Sequence, residues 1–262
     1  MGKYLTTVRP VIDREPNQAF AADDILFDWT AFDIPKGSAK LSSYNIIVPG
    51  TDGTAANGGL DMVLLFAKSI DSVAPTTLGT TNGAMTVIAS TAVKPNIISS
   101  LFIDGSVLEN SGDGTVGYNI LNSAARGYFT TPILEGEPNQ KDVTEGYQRI
   151  YMAGIAQGAY DFGTGCLLDG AISSGSAGAQ TLDVSEDTDA DDVLSVGDEC
   201  LAVASGGGSV QKIGTITALT ADTITVDAKD IDGTVVWESG ALADDDEIVN
   251  RRPLVFHLGF EY

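Results

Sequence analysis

Apolar and polar residues alternate in short runs along most of this chain, and glycine, proline, asparagine and aspartate interrupt the runs at close intervals. Alternation with a period of two is typical of β-strands that bury one face, and the interrupting residues are those that form turns. In the first part of the chain the pattern predicts strands over residues 4–12, 25–29, 43–48, 62–70, 85–89 and 97–103.

Two segments are ambiguous between strand and helix. Residues 60–73 form an apolar run that is too continuous for its periodicity to decide, and we favour a strand there over a short amphipathic helix. Residues 120–126 are predicted to make one or two helical turns at most. The chain therefore has almost no helical pattern.

A long strand is predicted over residues 147–163, where large and small residues alternate. Gly154 and Gly158 would allow this strand to bend or to carry a bulge. The stretch that follows at 170–180 consists mainly of glycine, alanine and serine, which is typical of a linker. We therefore place a boundary there.

The region beyond 180 predicts a compact β module followed by one last strand. Residues 193–228 contain three alternating runs, and the first two are joined across the SGGGS sequence at 205–209 as a hairpin. Residues 249–262 again alternate and resemble the first part of the chain in their aromatic content. One face of this last strand carries Phe256, Leu258, Phe260 and Tyr262.

These patterns predict an all-β fold with a β-sandwich or jelly-roll-like main domain and a small inserted β-barrel-like module. Residues 1–20 are predicted to form an extended N-terminal arm. Residues 21–170 and 249–262 would form the main domain, and 171–248 the acidic module. The C-terminal strand would thus return to the sheet of the main domain.

Charge is distributed very unevenly along the chain. The 262 residues carry a net charge of −22, and residues 151–250 contain nineteen Asp and Glu against two basic residues, Lys212 and Lys229. Nucleic acids and anionic membranes attract Lys and Arg, so neither is expected to be a direct partner. The acidity indicates either a well-solvated exterior or attraction to a basic surface. The N-terminus lacks the apolar core of a signal peptide, which predicts a soluble product made in the cytoplasm.

The residue types of common active sites are sparse. His257 is the only histidine, and no GxSxG sequence accompanies it. Four acidic residues lie near aromatic residues in the sequence, as sugar-binding acids often do: Asp28, Asp33, Asp161 and Asp169. Solvated loop acids explain the same pattern, and we predict no catalytic site. Cys166 and Cys200 have no metal-ligand spacing, and we interpret them as buried free thiols, with a disulfide as the alternative.

A calcium loop is the only metal motif that the sequence suggests. Counted from Asp187, carboxylates stand at positions 1, 3, 5 and 12 of such a loop, the others being Asp189, Asp191 and Asp198. Position 6 is Asp192, where the loop needs glycine for its sharp turn. We therefore predict no cofactor, with weak calcium binding as the alternative.

The N-terminal sequence YLTTVRPVIDREPNQAF and the module VGDECLAVA…VQKIGTITALTADTITVD resemble virion structural proteins of tailed bacteriophages, in particular capsid decoration or cement proteins. The resemblance implies a non-enzymatic protein that is present in many copies as a homo-oligomer in the virion. Its partners would be the major capsid protein or other virion proteins. Apolar residues of the arm would be buried against neighbours, with the acidic module facing outward.

The predicted interface combines those apolar residues with basic residues, which either pair with acidic neighbouring copies or only balance surface charge. Its members are Tyr4, Leu5, Val8, Arg9, Ile12, Arg251 and Arg252. Two alternatives to a decoration protein stay open. One is another phage component, such as a coat, neck or tail subunit. The other is a carbohydrate-binding or adhesin module, with or without calcium.

Overall fold

The computed structural model describes residues 2–13, 19–49, 60–85, 93–105, 109–110, 118–122, 132–160, 162, 165–185, 189–205 and 209–262. Within these residues nearly all regular structure is β-strand. In chain order the elements are β1 (Lys3–Val8), β2 (Ile25–Pro35), β3 (Ala39–Pro49), β4 (Met62–Ala67), β5 (Ile97–Ile103), β6 (Glu109–Asn110), β7 (Tyr118–Asn122), β8 (Ile133–Leu134), β9 (Tyr147–Ala156), β10 (Cys166–Leu167), β11 (Ala179–Asp183), α1 (Ala190–Val193), β12 (Glu199–Val203), β13 (Val210–Leu219), β14 (Thr223–Asp227), β15 (Glu247–Asn250) and β16 (Val255–Glu261).

The C-terminal strand lies inside the first sheet. The antiparallel order of this sheet is β1-β16-β3-β7-β6, and the short β8 also pairs with β3. Alternation along β16 buries the side chains of Phe256, Leu258 and Phe260, as the sequence predicts. Tyr262 follows the last residue of the strand and is exposed, so the predicted apolar face ends at Phe260.

A second antiparallel sheet, in the order β2-β9-β4-β5, packs against the first. Aromatic rings join the two layers: the centroids of Phe27 and Phe256 are 5.6 Å apart, and those of Phe32 and Phe260 are 6.3 Å apart. Buried residues of both sheets form one core. We call these two layers the sandwich. Burial of each large apolar side chain contributes about 1.5–3 kcal/mol, so this shared core holds the two sheets together.

The sequence predicts a bend or bulge in β9 around Gly154, but the irregular pairing lies in its partner strand, β2. Pairing between β2 and β9 shifts register on both sides of Phe27, which faces Gly154. A Cβ atom at Gly154 would overlap the Phe27 ring. The missing side chain therefore makes room for Phe27 within the sandwich core.

The third sheet curls into a barrel. Its order is β10-β15-β12-β13-β14-β11, and a bridge between Leu168 and Val184 joins its two ends. Hydrogen bonds from Asp169 N to Asp183 O (3.0 Å) and from Ser185 N to Leu167 O (2.8 Å) complete this closure. Its separate core includes the fully buried side chain of Trp237. We call the unit formed by β10–β15 the barrel.

The linker prediction for residues 170–180 is wrong. Ile172 forms a bridge with Leu242, and Gly175 N donates a hydrogen bond to Gly240 O at 2.9 Å. A Cβ atom at Gly175 would overlap the indole ring of Trp237. The small residues here allow the chain to lie close against Trp237, whereas the composition suggested a flexible connection.

The prediction of an all-β sandwich fold is confirmed. β4 also confirms the strand that we favoured within residues 60–73. The helical prediction for 120–126 is wrong at 120–122, which belong to β7, and its remainder lies outside the described residues. Within the predicted strand 85–89, only Met85 is described.

The predicted arm is also corrected in part. β1 forms a ladder with β16 from Lys3 to Val8, so these residues belong to a sheet of their own chain. Phe20, near the other end of the predicted arm, forms a bridge with Tyr160. The barrel sheet begins at Cys166 and ends at Asn250, a few residues outside the predicted limits of the module, 171 and 248. The division of the chain into independent domains stays a prediction.

Candidate subunit interface

β1 is an edge strand of the first sheet, and among the described strands it pairs only with β16. Gly2 and Tyr262 exchange two backbone hydrogen bonds, from Gly2 N to Tyr262 O at 2.9 Å and from Tyr262 N to Gly2 O at 3.2 Å. In an antiparallel ladder such hydrogen-bonded pairs alternate with non-bonded pairs. Tyr4 and Thr6 therefore bond to β16, as Gly2 does.

The intervening residues direct their backbone groups away from the sheet. They are Lys3, Leu5 and Thr7, and no described residue accepts from or donates to their backbone groups on the open side. Their side chains also share the outer face of the sheet, and all three are exposed. Leu5 is 66% exposed. The open edge thus combines unpaired hydrogen-bonding groups with an apolar side chain.

The seven predicted interface residues divide into accessible and buried ones. Leu5 and Arg9 are exposed, and Tyr4 is half-buried with its ring 5.8 Å from that of Tyr147. Val8 and Ile12 are buried in the sandwich core. These two residues are corrected, because as folded they have no surface to offer a neighbouring subunit.

Arg251 and Arg252 form ion pairs with described residues of their own chain, and their place at an interface stays a prediction. Arg251 Nε contacts Asp13 Oδ1 at 2.7 Å and its Nη1 contacts Glu199 Oε1, while Arg252 Nε lies 2.9 Å from Glu199 Oε2. Arg252 Nη1 also donates to Arg9 O at 3.0 Å. Burial acts to lower the pKa of Arg251, but its hydrogen bonds to Asp13 and Glu199 raise it on balance.

This cluster joins the barrel to the sandwich. Glu199 begins β12 in the barrel and its side chain is only 1% exposed, while Asp13 belongs to the segment after β1. Two backbone hydrogen bonds support the same connection, from Ile12 N to Arg251 O at 2.9 Å and from Arg251 N to Glu199 O at 2.7 Å. We call Asp13, Glu199, Arg251 and Arg252 the joint. No sequence pattern indicates the joint, because Asp13, Glu199 and the two arginines are far apart along the chain.

The predicted calcium ligands are not brought together in the described part of the chain. Asp187 lies outside the described residues, and Asp189 immediately precedes the short helix α1, which contains Asp191. Asp198 Oδ2 accepts a hydrogen bond from Ser195 N at 2.9 Å, and burial raises the pKa of this carboxyl group. Among the described residues no group of three or more His, Cys, Asp or Glu is placed to hold a metal ion.

Other acids of the barrel stabilise its turns. Asp246 accepts hydrogen bonds from Ser205 N at 3.1 Å and from Ala243 N at 2.7 Å, and Asp244 accepts one from Gly170 N at 2.8 Å. Such bonds satisfy backbone donors that the ladder leaves unpaired. Part of the acidic composition therefore has a local structural role.

A shallow cleft of about 360 Å³ lies beside the joint. It is lined by Val11, Asp13, Asp28, Trp29, Thr30 and Thr81. Asp28 Oδ1 accepts from Leu78 N at 3.0 Å, and Trp29 Nε1 donates to Thr76 O at 2.9 Å. The cleft thus presents an indole ring beside two carboxylates whose geometry is already fixed by the fold.

The remaining residues singled out in the sequence are separate from this cleft. Asp33 pairs with Arg149 at 2.9 Å, Asp169 lies exposed in a turn after β10, and Asp161 is outside the described residues. His257 Nδ1 lies 3.0 Å from Thr7 Oγ1 on the outer face of the first sheet. Cys166 and Cys200 are buried free thiols in the barrel core.

No described helix is long and apolar enough to cross a membrane. No protein-family model matches the chain, and no curated protein does. Among solved structures it is similar to VP2 in a subviral particle of infectious bursal disease virus, with 9% identity and a TM-score of 0.25, over 99% of this chain and 41% of VP2. It is also similar to the T=1 particle of Penaeus vannamei nodavirus, with 12% identity and a TM-score of 0.21, over 99% of this chain and 98% of that one.

The chain thus spans about two fifths of the length of that VP2. TM-scores this low carry no argument about fold or function. The functional conclusion therefore depends on the geometry of this chain and on its sequence.

Proposed function

We propose that this chain is a non-enzymatic structural protein of a virus particle, in which many copies contact other virion proteins and decorate or cement the capsid of a tailed phage. The open edge of β1 is the observation that carries the proposal. Lys3, Leu5 and Thr7 offer backbone groups there that no described residue pairs, and such groups add readily to another strand.

The charge distribution supports a directional contact. Residues 2–12 contain Lys3 and Arg9 and no acidic residue, whereas residues 151–250 contain nineteen. Carboxylates repel one another when protein surfaces meet, so the acid-free segment is the favoured contact and the acidic barrel faces solvent. Attachment at many equivalent sites would stabilise a shell by mass action.

Mass spectrometry of purified particles whose genome encodes this chain tests the proposal. We expect a fixed stoichiometric ratio to the major capsid protein, and rebinding of the isolated chain to particles stripped of it. Leu5→Pro should abolish rebinding, while Phe102→Ala, which alters an exposed apolar residue on β5, should not. Absence of the chain from gradient-purified particles would refute a virion role.

The cleft beside the joint favours a second candidate, a carbohydrate-binding or adhesin module. A half-buried indole ring that lines a cleft together with carboxylates and threonines is a common way to bind a sugar, through stacking and hydrogen bonds. A glycan array with and without EDTA tests this function. Signals that Trp29→Ala removes and Phe102→Ala retains would support it, and an array without signal would exclude it.

A further inference from the structure

We propose that β1 pairs with β1 of a second copy of this chain, antiparallel about a two-fold axis at Leu5, so that the first sheets of the two copies form one continuous sheet. This inference rests on the many-copy assembly in the proposed function and names the partner at the β1 edge. It adds Lys3 and Thr7 to the seven interface residues predicted from the sequence.

The alternation of inward and outward backbone groups along β1 determines which residues can face each other in the register of the new strand pair. Hydrogen-bonded pairs across the new interface need outward backbone groups on both strands, and only Lys3, Leu5 and Thr7 of β1 have them. A two-fold axis at Leu5 places Leu5 opposite Leu5, and Lys3 opposite Thr7, of the second copy. The three facing pairs then form two hydrogen bonds each and leave none of these groups unpaired.

The two neighbouring symmetric registers are worse. An axis at Thr6 places Lys3 opposite Arg9 of the second copy, so like charges face each other. An axis at Tyr4 places Thr7 opposite residue 1, which precedes the strand. The register centred on Leu5 is therefore the one that β1 itself favours.

Side-chain packing supports the same register. The cross-strand neighbour of Leu5 within its own sheet is Gly259, which offers no side chain to cover it. Leu5 consequently remains 66% exposed. The Leu5 side chain of the second copy would cover this surface from the open side, as apolar cross-strand pairs do.

The open edge is also where two copies of this acidic protein meet with the least repulsion. Residues 2–12 contain no carboxylate, and Lys3 faces Glu261 within its own chain. In the barrel, a bridge between the two ends of the sheet takes the place of an open edge. At the edge of the second sheet, β8 lies close to β5. Because the rest of each chain still repels its copy, added salt should strengthen the dimer.

Size-exclusion chromatography with light scattering provides the first test. We expect a mass of twice 27.2 kDa for the purified chain. Leu5→Pro removes an outward N–H and no bond to β16, and should weaken the dimer by at least about 100-fold. Leu5→Thr keeps the N–H and should weaken it by about tenfold. A wild-type chain that stays monomeric up to high concentration overturns the proposal.

Disulfide crosslinking tests the register without relying on the proline variant. Cys166 and Cys200 are buried, so an introduced cysteine on β1 is the reactive thiol. L5C should form a disulfide-linked dimer by itself, and K3C should crosslink to T7C when the two variants are mixed. K3C alone should not crosslink, because its two copies would be separated by about 13 Å along the strands, beyond disulfide reach. Efficient K3C homodimers would overturn this register.

Salt dependence separates this pairing from an attachment of β1 to an acidic surface. A dimer that weakens with added salt would indicate a basic-to-acidic contact and overturn the two-fold pairing. A monomeric chain that nevertheless rebinds to particles through β1 would overturn the dimer and leave the virion role standing. Failure of one proposal is thus distinguishable from failure of the other.

Discussion

The sandwich and the barrel differ in how their sheets end. The barrel joins its two ends through Leu168 and Val184, whereas the first sheet of the sandwich ends in β1, whose outward backbone groups are paired by no described residue. A closed sheet has no edge to which another strand can add. The barrel can therefore carry a dense acidic surface without offering an open edge, and in the proposed function contacts would concentrate on the sandwich edge.

Each unit also has its own core and its own tryptophan. Trp29 lies on β2 of the sandwich, and Trp237 is buried in the barrel. The chain contains no other tryptophan. A Trp29→Phe chain therefore reports unfolding of the barrel by fluorescence, and a Trp237→Phe chain reports unfolding of the sandwich.

Truncation of a core residue should produce the largest difference in stability between the sandwich and the barrel. Phe256→Ala removes a fully buried ring that contacts Phe27, and should lower the free energy of unfolding by about 3–5 kcal/mol. In urea titrations we expect the Trp29 signal to shift strongly and the Trp237 signal to shift less. Phe102→Ala, at an exposed position, should change either signal by less than about 0.5 kcal/mol. Equal shifts of both signals would mean that sandwich and barrel unfold as one unit.

The sequence predicts those features of the sandwich and the barrel that depend on local patterns, and it does not predict those that depend on pairing between distant segments. Alternation placed β5 and β12–β14 well, because it records which side chains face a core. It could not show that β1 pairs with β16, about 250 residues away. Val8 and Ile12 therefore resembled parts of a free arm, although the fold buries them.

Composition also did not show which residues pack or pair with distant parts of the chain. Arg251 and Arg252 resembled surface charges because their partners, Asp13 and Glu199, are distant in the sequence. Small residues at 170–180 resembled a linker, because glycine serves both flexible connections and close packing, here against Trp237. The outward backbone groups of Lys3, Leu5 and Thr7 follow from alternation once the partner strand β16 is known. This part of the proposed interface therefore depends on a single long-range pairing.

A change at the joint should have the next largest effect, because it weakens the connection between the two units. Arg251→Met leaves buried Glu199 with Arg252 as its remaining cation, and should destabilise the chain by about 3 kcal/mol. We expect the two tryptophan signals, if they coincide in the wild type, to separate in urea. Lys229→Met breaks the exposed pair with Asp227 at 3.6 Å and should cost less than about 1 kcal/mol. If both variants lose equal stability, the joint has no special role.

Alkaline pH should produce a smaller difference in stability between the two units, because both cysteines lie in the barrel. Burial, with some help from Glu247 and nearby aspartates, raises the pKa of the Cys166 thiol from 9.0 to about 12. Burial raises the pKa of Cys200 as well. The unfolded chain releases these protons first, so the folded barrel binds more protons between the two pKa values and loses stability as the pH rises through that window.

From Cys166 alone, the barrel should lose about 1.4 kcal/mol between pH 8 and pH 10 in urea titrations that follow Trp237. In the sandwich, burial raises the pKa of Tyr44 above its ordinary 10.0, so the corresponding loss should begin about one pH unit higher. Cys166→Ala should remove the part of the barrel's pH dependence that comes from Cys166, retain the part that comes from Cys200, and leave the pH dependence of the sandwich unchanged. A barrel midpoint that stays constant up to pH 10 would contradict a buried, protonated thiol and would place Cys166 in contact with water.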